Sequence, residues 1–531
     1  MSTTTSRWAR WAGPARWIAL VGAALVLAAP FMAWAYLPSA LDDMTYWGEP
    51  SVLQWLGFVL GLLLLACLLG PLVLSRPRVA KARKLVNLGR GAKAASTASL
   101  AYLATVAVSV AFELGGLVAL EPGLWVGLAG AALATASTRL LPPGHEPRLR
   151  FVPTPSWVQI LGIVGALTLV LIVAAYGLGL GDPGSFVSFA VFCGVTVWIA
   201  GSVGAMGWLA AAAAQNRHAL TLAAFVVAFA FPFTQDGSDA NMSIAVGVLV
   251  FAAVAMGLNI VVGLAGLLDL GYIAFLGAGA FVAATLSESA FATIGWSPPF
   301  PVVVLISGSV AALLGLVIGS PTLRVSGDYL AIVTLAFGEI FRITMNNLDG
   351  VDGPNITRGS NGIPAIPDLT FFGFDFGESH IILGVEIGRF ANYYWLLLLV
   401  MGFIILVFTN LNHSRIGRGW VAIREDERAA EAMGVNVFGL KLLAFAGGAF
   451  LADIAGTVKA HYDTSVTPDQ YQFLESAFLL AAVVLGGMGT IAGVILGAVV
   501  LKLMPEKLRF FSEYRLLLFG LLLVLMMRFR P

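Results

Sequence analysis

Uncharged apolar stretches long enough to cross a bilayer recur along most of this chain, at residues 17–37, 51–75, 157–181, 241–268 and 390–411. About 20 such residues in a helix match the hydrocarbon thickness of a membrane. Inside lipid every backbone N–H and C=O must be paired within the protein, so only helices and closed barrels span. Alternation at period two is absent, which excludes a barrel. With 59% hydrophobic and 11% charged residues, the chain reads as an all-α, polytopic transmembrane helical bundle. The first apolar run follows Arg7, Arg10 and Arg16 and precedes no small-residue cleavage site, so it reads as a retained span and not a signal peptide.

Charge placement orients the chain. Between residues 75 and 94 lie Arg76, Arg78, Lys81, Arg83, Lys84, Arg90 and Lys93 with no acid, whereas the preceding loop carries Asp42, Asp43 and Glu49. Basic loops stay on the cytoplasmic side, which puts the N-terminus inside and the basic loop beside anionic lipid. Arg528 and Arg530 after a last span at residues 516–527 give a cytoplasmic C-terminus. A net charge of +1 offers no general attraction to nucleic acid. Cys67, Cys193 and five scattered histidines show no metal-ligand spacing, so no metal is expected. Without a G-x-x-x-x-G-K-S/T loop the chain has no nucleotide cradle and no cofactor of its own.

Residues 1–215 hold about six apolar spans with few intramembrane charges besides Glu113, and read as an N-terminal scaffold region. Residues 216–531 hold about eight to ten helices punctuated by glycine and charge. Residues 257–283 place six glycines and Asp269 in one apolar run, which predicts close helix packing or a broken helix. In a broken helix Asn259, Asp269 and Tyr272 would line a polar path; in the plainer reading the glycines only permit contact. In residues 324–348, Asp328, Glu339 and Arg342 interrupt another helical run, with Glu339 and Arg342 spaced to pair for function or for register. Residues 346–390 are polar, acidic and rich in Gly and Pro, which predicts an ordered extracytoplasmic segment, either docking a partner or simply solvated. Residues 476–501, broken by glycines, predict a short helical hairpin.

Residues 420–434, WVAIREDERAAEAMG, are too charged to span. A 3.6-residue period predicts one short helix with Arg424, Glu427, Arg428 and Glu431 on one face, Ala429, Ala430 and Met433 on another, and Gly434 as its stop. Such a helix either docks on a partner or lies solvated, laced by its own ion pairs.

From about residue 241 onward the chain resembles the M-type permease subunit of the high-affinity branched-chain amino-acid ABC importers. The resemblance rests on five blocks in family order: GLNIVVGLAGLLDLGY, GDYLAIVTLAFGEIFRI, GRGWVAIREDERAAEAMGV, ESAFLLAAVVLGGMGT and EYRLLLFGLLLVLMMRFRP. It implies an ABC importer permease, not an enzyme, that carries branched-chain amino acids by alternating access. Its partners would be a second permease subunit, two cytoplasmic ATPase subunits that hold ATP and Mg, and a periplasmic amino-acid-binding protein. Residues 418–434 would then be the coupling helix, with Glu431, Ala432 and Gly434 where the short E-A-A…G importer signature falls, and Arg424, Glu425, Glu427, Arg428 and Glu431 forming rim pairs. Asn259, Asp269, Tyr272, Asp328, Glu339, Asn361 and Gly362 are the candidate path residues. Three alternatives stand beside this reading: a related permease for urea or short amides, an ion-coupled secondary transporter using Glu113, Asp269 and Glu339, and a structural membrane scaffold that transports nothing. The N-terminal 215 residues exceed the family core, and the chain stops at Pro531, where members usually continue with P-Q-G-L.

Overall fold

The computed structural model describes residues 12–37, 50–73, 85–142, 147, 149, 154–322, 328–351, 353–371, 373–382, 384–507, 520 and 524. Most of the basic loop, the expected span at 516–527 apart from Gly520 and Val524, and the side chain of Asp328 lie outside the described residues. Among the described residues, eleven helices are long and apolar enough to cross a membrane, as the repeated uncharged runs require. The chain packs as two compact units, residues 1–228 and 229–531; the sequence had suggested a division after residue 215.

The first unit contains α1 (Ala12–Ala28), α2 (Val52–Val73), α3 (Leu88–Glu113), α4 (Pro122–Thr138), α5 (Ser156–Gly179), α6 (Pro183–Val203) and α7 (Ala205–Gln215), while α8 (Arg217–Ala230) runs across the division. Helices α1 and α4 meet at Gly22 and Gly130, where a Cβ on Gly22 would lie 2.6 Å from the Gly130 carbonyl oxygen. Lipid supplies no hydrophobic drive for helix association, so backbone proximity of this kind takes its place. Two buried polar side chains are paired with backbone: the Tyr102 hydroxyl donates to the Leu53 carbonyl at 2.7 Å and the Trp34 indole N–H to the Ala29 carbonyl at 2.8 Å.

The second unit is built on α9 (Asp239–Leu258), α10 (Ile273–Thr285), α11 (Phe300–Thr322), α12 (Asp328–Asn347), α13 (Arg389–His413), α14 (Arg415–Glu425), α15 (Glu427–Ala432), α16 (Val437–Asp463), α17 (Phe473–Gly486) and α18 (Ile491–Lys507). Helix α16 is central and packs on α9, α10 and α11. At its crossing with α10 a Cβ on Gly456 would stand 2.1 Å from the Leu276 carbonyl oxygen, so a side chain there would force the helices apart. Asp453 on α16 is fully buried and accepts from the Ser307 hydroxyl of α11 at 2.6 Å. The expected hairpin is α17 and α18, joined by a turn at residues 487–490.

The break expected in residues 257–283 is present. After α9 the helix widens into a π-helical segment, Asn259–Leu264, then irregular backbone leads into α10. Widened turns leave backbone groups unpaired, and in an apolar interior each needs a partner. Neighbouring side chains supply them: the Thr334 hydroxyl accepts from the Leu270 N–H at 3.0 Å, and the Ser476 hydroxyl from the Ile273 N–H at 2.9 Å.

The described part of residues 348–388 forms a cap with two short hairpins, β1 (Thr370–Phe371) with β2 (Phe374–Asp375) and β3 (His380–Ile382) with β4 (Val385–Ile387). Arg389 fastens the cap by an ion pair to Asp368 at 2.7 Å and hydrogen bonds to the His461 and Tyr462 carbonyls at 2.9 and 3.0 Å. The cap adjoins the start of α13, and the α14–α15 segment follows that helix's end. At 1.5 Å per residue α13 separates them by about 37 Å, so they occupy opposite ends of this unit.

Candidate functional site

The charged segment is two helices, not one. Asp426 sits in extended backbone (φ −155°, ψ 107°), ends α14, and caps α15 by accepting from the Ala429 N–H at 3.0 Å. An aspartate whose side chain competes for a backbone donor breaks a helix and starts the next. This corrects the expectation of a single helix over residues 420–434 with Arg424 in register with Glu427, Arg428 and Glu431. Asp426, three residues before Ala429, was the available signal. The expected apolar face is corrected too: Ala430 is buried against Ile423 and Val437, whereas Ala429 and Met433 are exposed.

Helix α14 is seated by Trp420, which is buried and donates its indole N–H to the Leu440 carbonyl at 2.7 Å. Helix α15 is tied to α16 by the ion pair of Glu427 with Lys441 at 2.6 Å. Glu425, Glu427, Arg428, Glu431, Ala432 and Gly434 all face outward, giving an exposed surface of both charges. Gly434 takes φ +84° and ends the segment in the left-handed region. Within the chain, Arg424 lies 3.6 Å from Glu425, and Glu427 pairs with Lys441.

Arg424 also reaches inward. Its Nη1 donates to the Gly263 carbonyl at 2.5 Å, within the π-helical segment. Gly266, at φ +71°, lies beneath the same side chain: a Cβ there would be 2.6 Å from the Arg424 Cγ. Two constraints therefore select glycine at that position, the backbone conformation and the approach of the arginine stem. Asn259, four residues before Gly263, accepts from the Gly489 N–H at 2.8 Å and donates to the Thr490 carbonyl at 3.2 Å. The α14–α15 segment, the broken helix and the α17–α18 turn thus form one junction.

Among the described side chains, the candidate path residues fall in several separate places. Asn259 belongs to this junction. Asp269 is buried and accepts from the Gly271 N–H at 2.9 Å, and the buried Tyr272 donates its hydroxyl to the Gly448 carbonyl at 2.6 Å, so both brace the break between α9 and α10. Glu339 pairs with Arg342 at 2.9 Å, and Arg342 continues to Asp469 at 3.3 Å. Asn361 and Gly362 lie in the cap, where a Cβ on Gly362 would stand 2.1 Å from the Val466 carbonyl oxygen. Asp269 and Glu339, the carboxylates that an ion-coupled reading would use, are therefore engaged in separate places.

A cavity of about 400 Å³ lies elsewhere in the second unit, among α9, α10, α16, α17 and α18. Its walls include Phe251, Val254 and Leu479 with Lys459, Asp463, Glu475 and Lys502. Lys459 is held by Asp463 and by the Gln470 side-chain oxygen at 3.4 Å. It lies over the ring of Tyr471, whose hydroxyl is pushed by burial up to about 12 and stays protonated. These residues escaped the sequence reading because they sit one by one at helix ends, where a charge ordinarily meets water.

The profile of the family described as "Branched-chain amino acid transport system / permease component" matches residues 240–527. The chain is 40% identical over 324 residues to the high-affinity branched-chain amino acid transport system permease protein LivM of Salmonella typhimurium and to that of Escherichia coli. Each match covers 58% of this chain and 73% of the relative. A probable branched-chain amino acid transport permease LivM of Methanocaldococcus jannaschii is 27% identical over 249 residues, 43% of this chain and 67% of that protein. No solved structure matches the chain.

Proposed function

Because the chain belongs to the family of branched-chain amino acid transport permeases, we propose that it is the translocation subunit of an ATP-driven importer for leucine, isoleucine and valine, worked by separate ATPases. It pairs with a second permease subunit, receives its substrate from a periplasmic binding protein and meets two ATPases, which hold ATP and Mg, at α14–α15. The membrane is the bacterial cytoplasmic membrane, with both chain termini and α14–α15 on the cytoplasmic side and the cap outside. Residues 216–531 are the permease core, and residues 1–215 an N-terminal extension.

One observation carries the coupling role: α14–α15 presents Glu425, Arg428 and Glu431 outward while Arg424, in the same segment, grips the Gly263 carbonyl of the broken helix. An ATPase groove that moves α14 would pull on Gly263, and through Asn259 on the turn at Gly489 and Thr490. A hydrogen bond from a charged donor in a partly dry setting is stronger than a neutral one, which suits a part that transmits force. Asn259, Asp269 and Tyr272 act by bracing the break that bends in alternating access; Glu339, Asn361 and Gly362 border the path toward the outer end, and Asp328, at the other end of α12, borders it toward the inner end.

The test is purification of the tagged full chain from its own cells. ATPase subunits should copurify, and Arg428→Glu with Glu431→Arg should abolish both that association and ATP-dependent leucine uptake. Uptake by this chain alone under an ion gradient, or copurification untouched by the charge swap, would overturn the reading.

A further inference from the structure

The cavity in the second unit combines two kinds of wall. Ser243 lies near the start of α9, Lys459 and Asp463 at the end of α16, Glu475 in the first turn of α17, and Lys502 near the end of α18. The α17–α18 hairpin turns beside Arg424, so its open end, and the cavity with it, lies at the far end from α14–α15. Helix α17 alone sets that offset at about 21 Å.

The wall carries apolar side chains, Ile244, Phe251 and Leu276, and both signs of charge. Lys459 is already engaged by Asp463 and Gln470. Glu506, a further acid on the wall, interacts with Lys507. Among the described residues neither Lys502 nor Glu475 has a side-chain ion pair, so this cation and this anion are placed to meet a ligand. A volume of about 400 Å³ lies within the roughly 300–1,000 Å³ of small-molecule sites. A compact molecule with adjoining ammonium and carboxylate groups and a branched aliphatic side chain matches all three features.

We propose that this cavity is the permease's own binding site for a free zwitterionic aliphatic amino acid, its α-carboxylate on Lys502, its α-ammonium on Glu475 and its side chain against Ile244, Phe251 and Leu276. The assignment rests on the importer reading and deepens it: the substrate is held here after leaving the binding protein and before the bundle opens inward. An exposed lysine and a half-buried glutamate hold it weakly, as release into the cell demands.

The test uses the full assembly in proteoliposomes, with Ile244→Cys, at a partly exposed wall position, as a reporter and Cys67 and Cys193 changed to serine. Alkylation by an impermeant thiol reagent is followed without binding protein. L-leucine should slow it, while isoamylamine, isocaproate and urea should not. The half-protecting leucine concentration should rise at least tenfold in Lys502→Gln and in Glu475→Gln, and return in Lys502→Arg. Ser243→Cys serves as the reporter if Ile244→Cys does not assemble. Lack of protection by leucine, equal protection by isoamylamine, or no change in Lys502→Gln would overturn the assignment. ATP-driven leucine uptake is measured on assemblies with the native Ile244 and Ser243: if it persists while protection fails, only the cavity assignment falls; if it is absent, the importer reading falls as well.

Discussion

Asn259 and Gly489, on opposite sides of the second unit's sequence, are joined by a hydrogen bond of 2.8 Å from the Gly489 N–H to the Asn259 side-chain oxygen. The same asparagine donates to the Thr490 carbonyl at 3.2 Å. One fully buried side chain thus satisfies a donor and an acceptor of a turn that would otherwise be short of partners.

Asn259→Leu removes both bonds, to the Gly489 N–H and the Thr490 carbonyl. The expected cost is about 1–3 kcal/mol, measured as a lower midpoint of thermal unfolding in detergent. Asn259→Asp, which keeps only the acceptor, should fall between the two.

Arg424→Ala should separate ATP hydrolysis from transport, because the contact with Gly263 is lost while the exposed acids remain. Leucine uptake per ATP hydrolysed is expected to fall about tenfold, the equivalent of about 1.4 kcal/mol of coupling. Met433→Ala, at an 84% exposed position of the same segment, should leave the ratio within twofold. Equal ratios for the two variants would place the transmission elsewhere.

Gly456→Val puts a branched side chain where even a Cβ would stand 2.1 Å from the Leu276 carbonyl oxygen. Overpacking against backbone, with no side chain able to move aside, should cost about 1–3 kcal/mol or more. Recovery of folded protein on size-exclusion chromatography should drop sharply, whereas Gly447→Ala, with open space around its position, should express normally.

Arg389→Met removes the fastening of the cap to α13 and α16. Both partners of the Asp368 pair are partly exposed, so water screens part of the attraction. The expected loss is about 1–2 kcal/mol, confined to the cap. Limited proteolysis from outside right-side-out vesicles should cut within residues 348–388 of the variant and spare the parent.

Much of the architecture is legible without coordinates because its causes are local. Apolar length determines which segments enter a bilayer, and the glycines of residues 257–271 and 486–493 foretell a broken helix and a hairpin, since a helix without side chains gains little from staying straight. The exposed charges of residues 425–431 follow from the same partitioning. The break at Asp426 was written there too, as a capping residue, but the periodicity of the charges on either side masked it.

What the amino-acid sequence determined by itself was therefore the class of element at each place and the family to which the blocks point. Only the tertiary structure decided that Arg424 turns back to the Gly263 carbonyl, that Asp269 and Tyr272 brace a break, and that Lys459, Glu475 and Lys502 share one cavity. The physical reason is the range of the interactions. Transfer into lipid acts on each segment separately, whereas a hydrogen bond or a cavity wall exists only once helices distant in sequence have packed side by side.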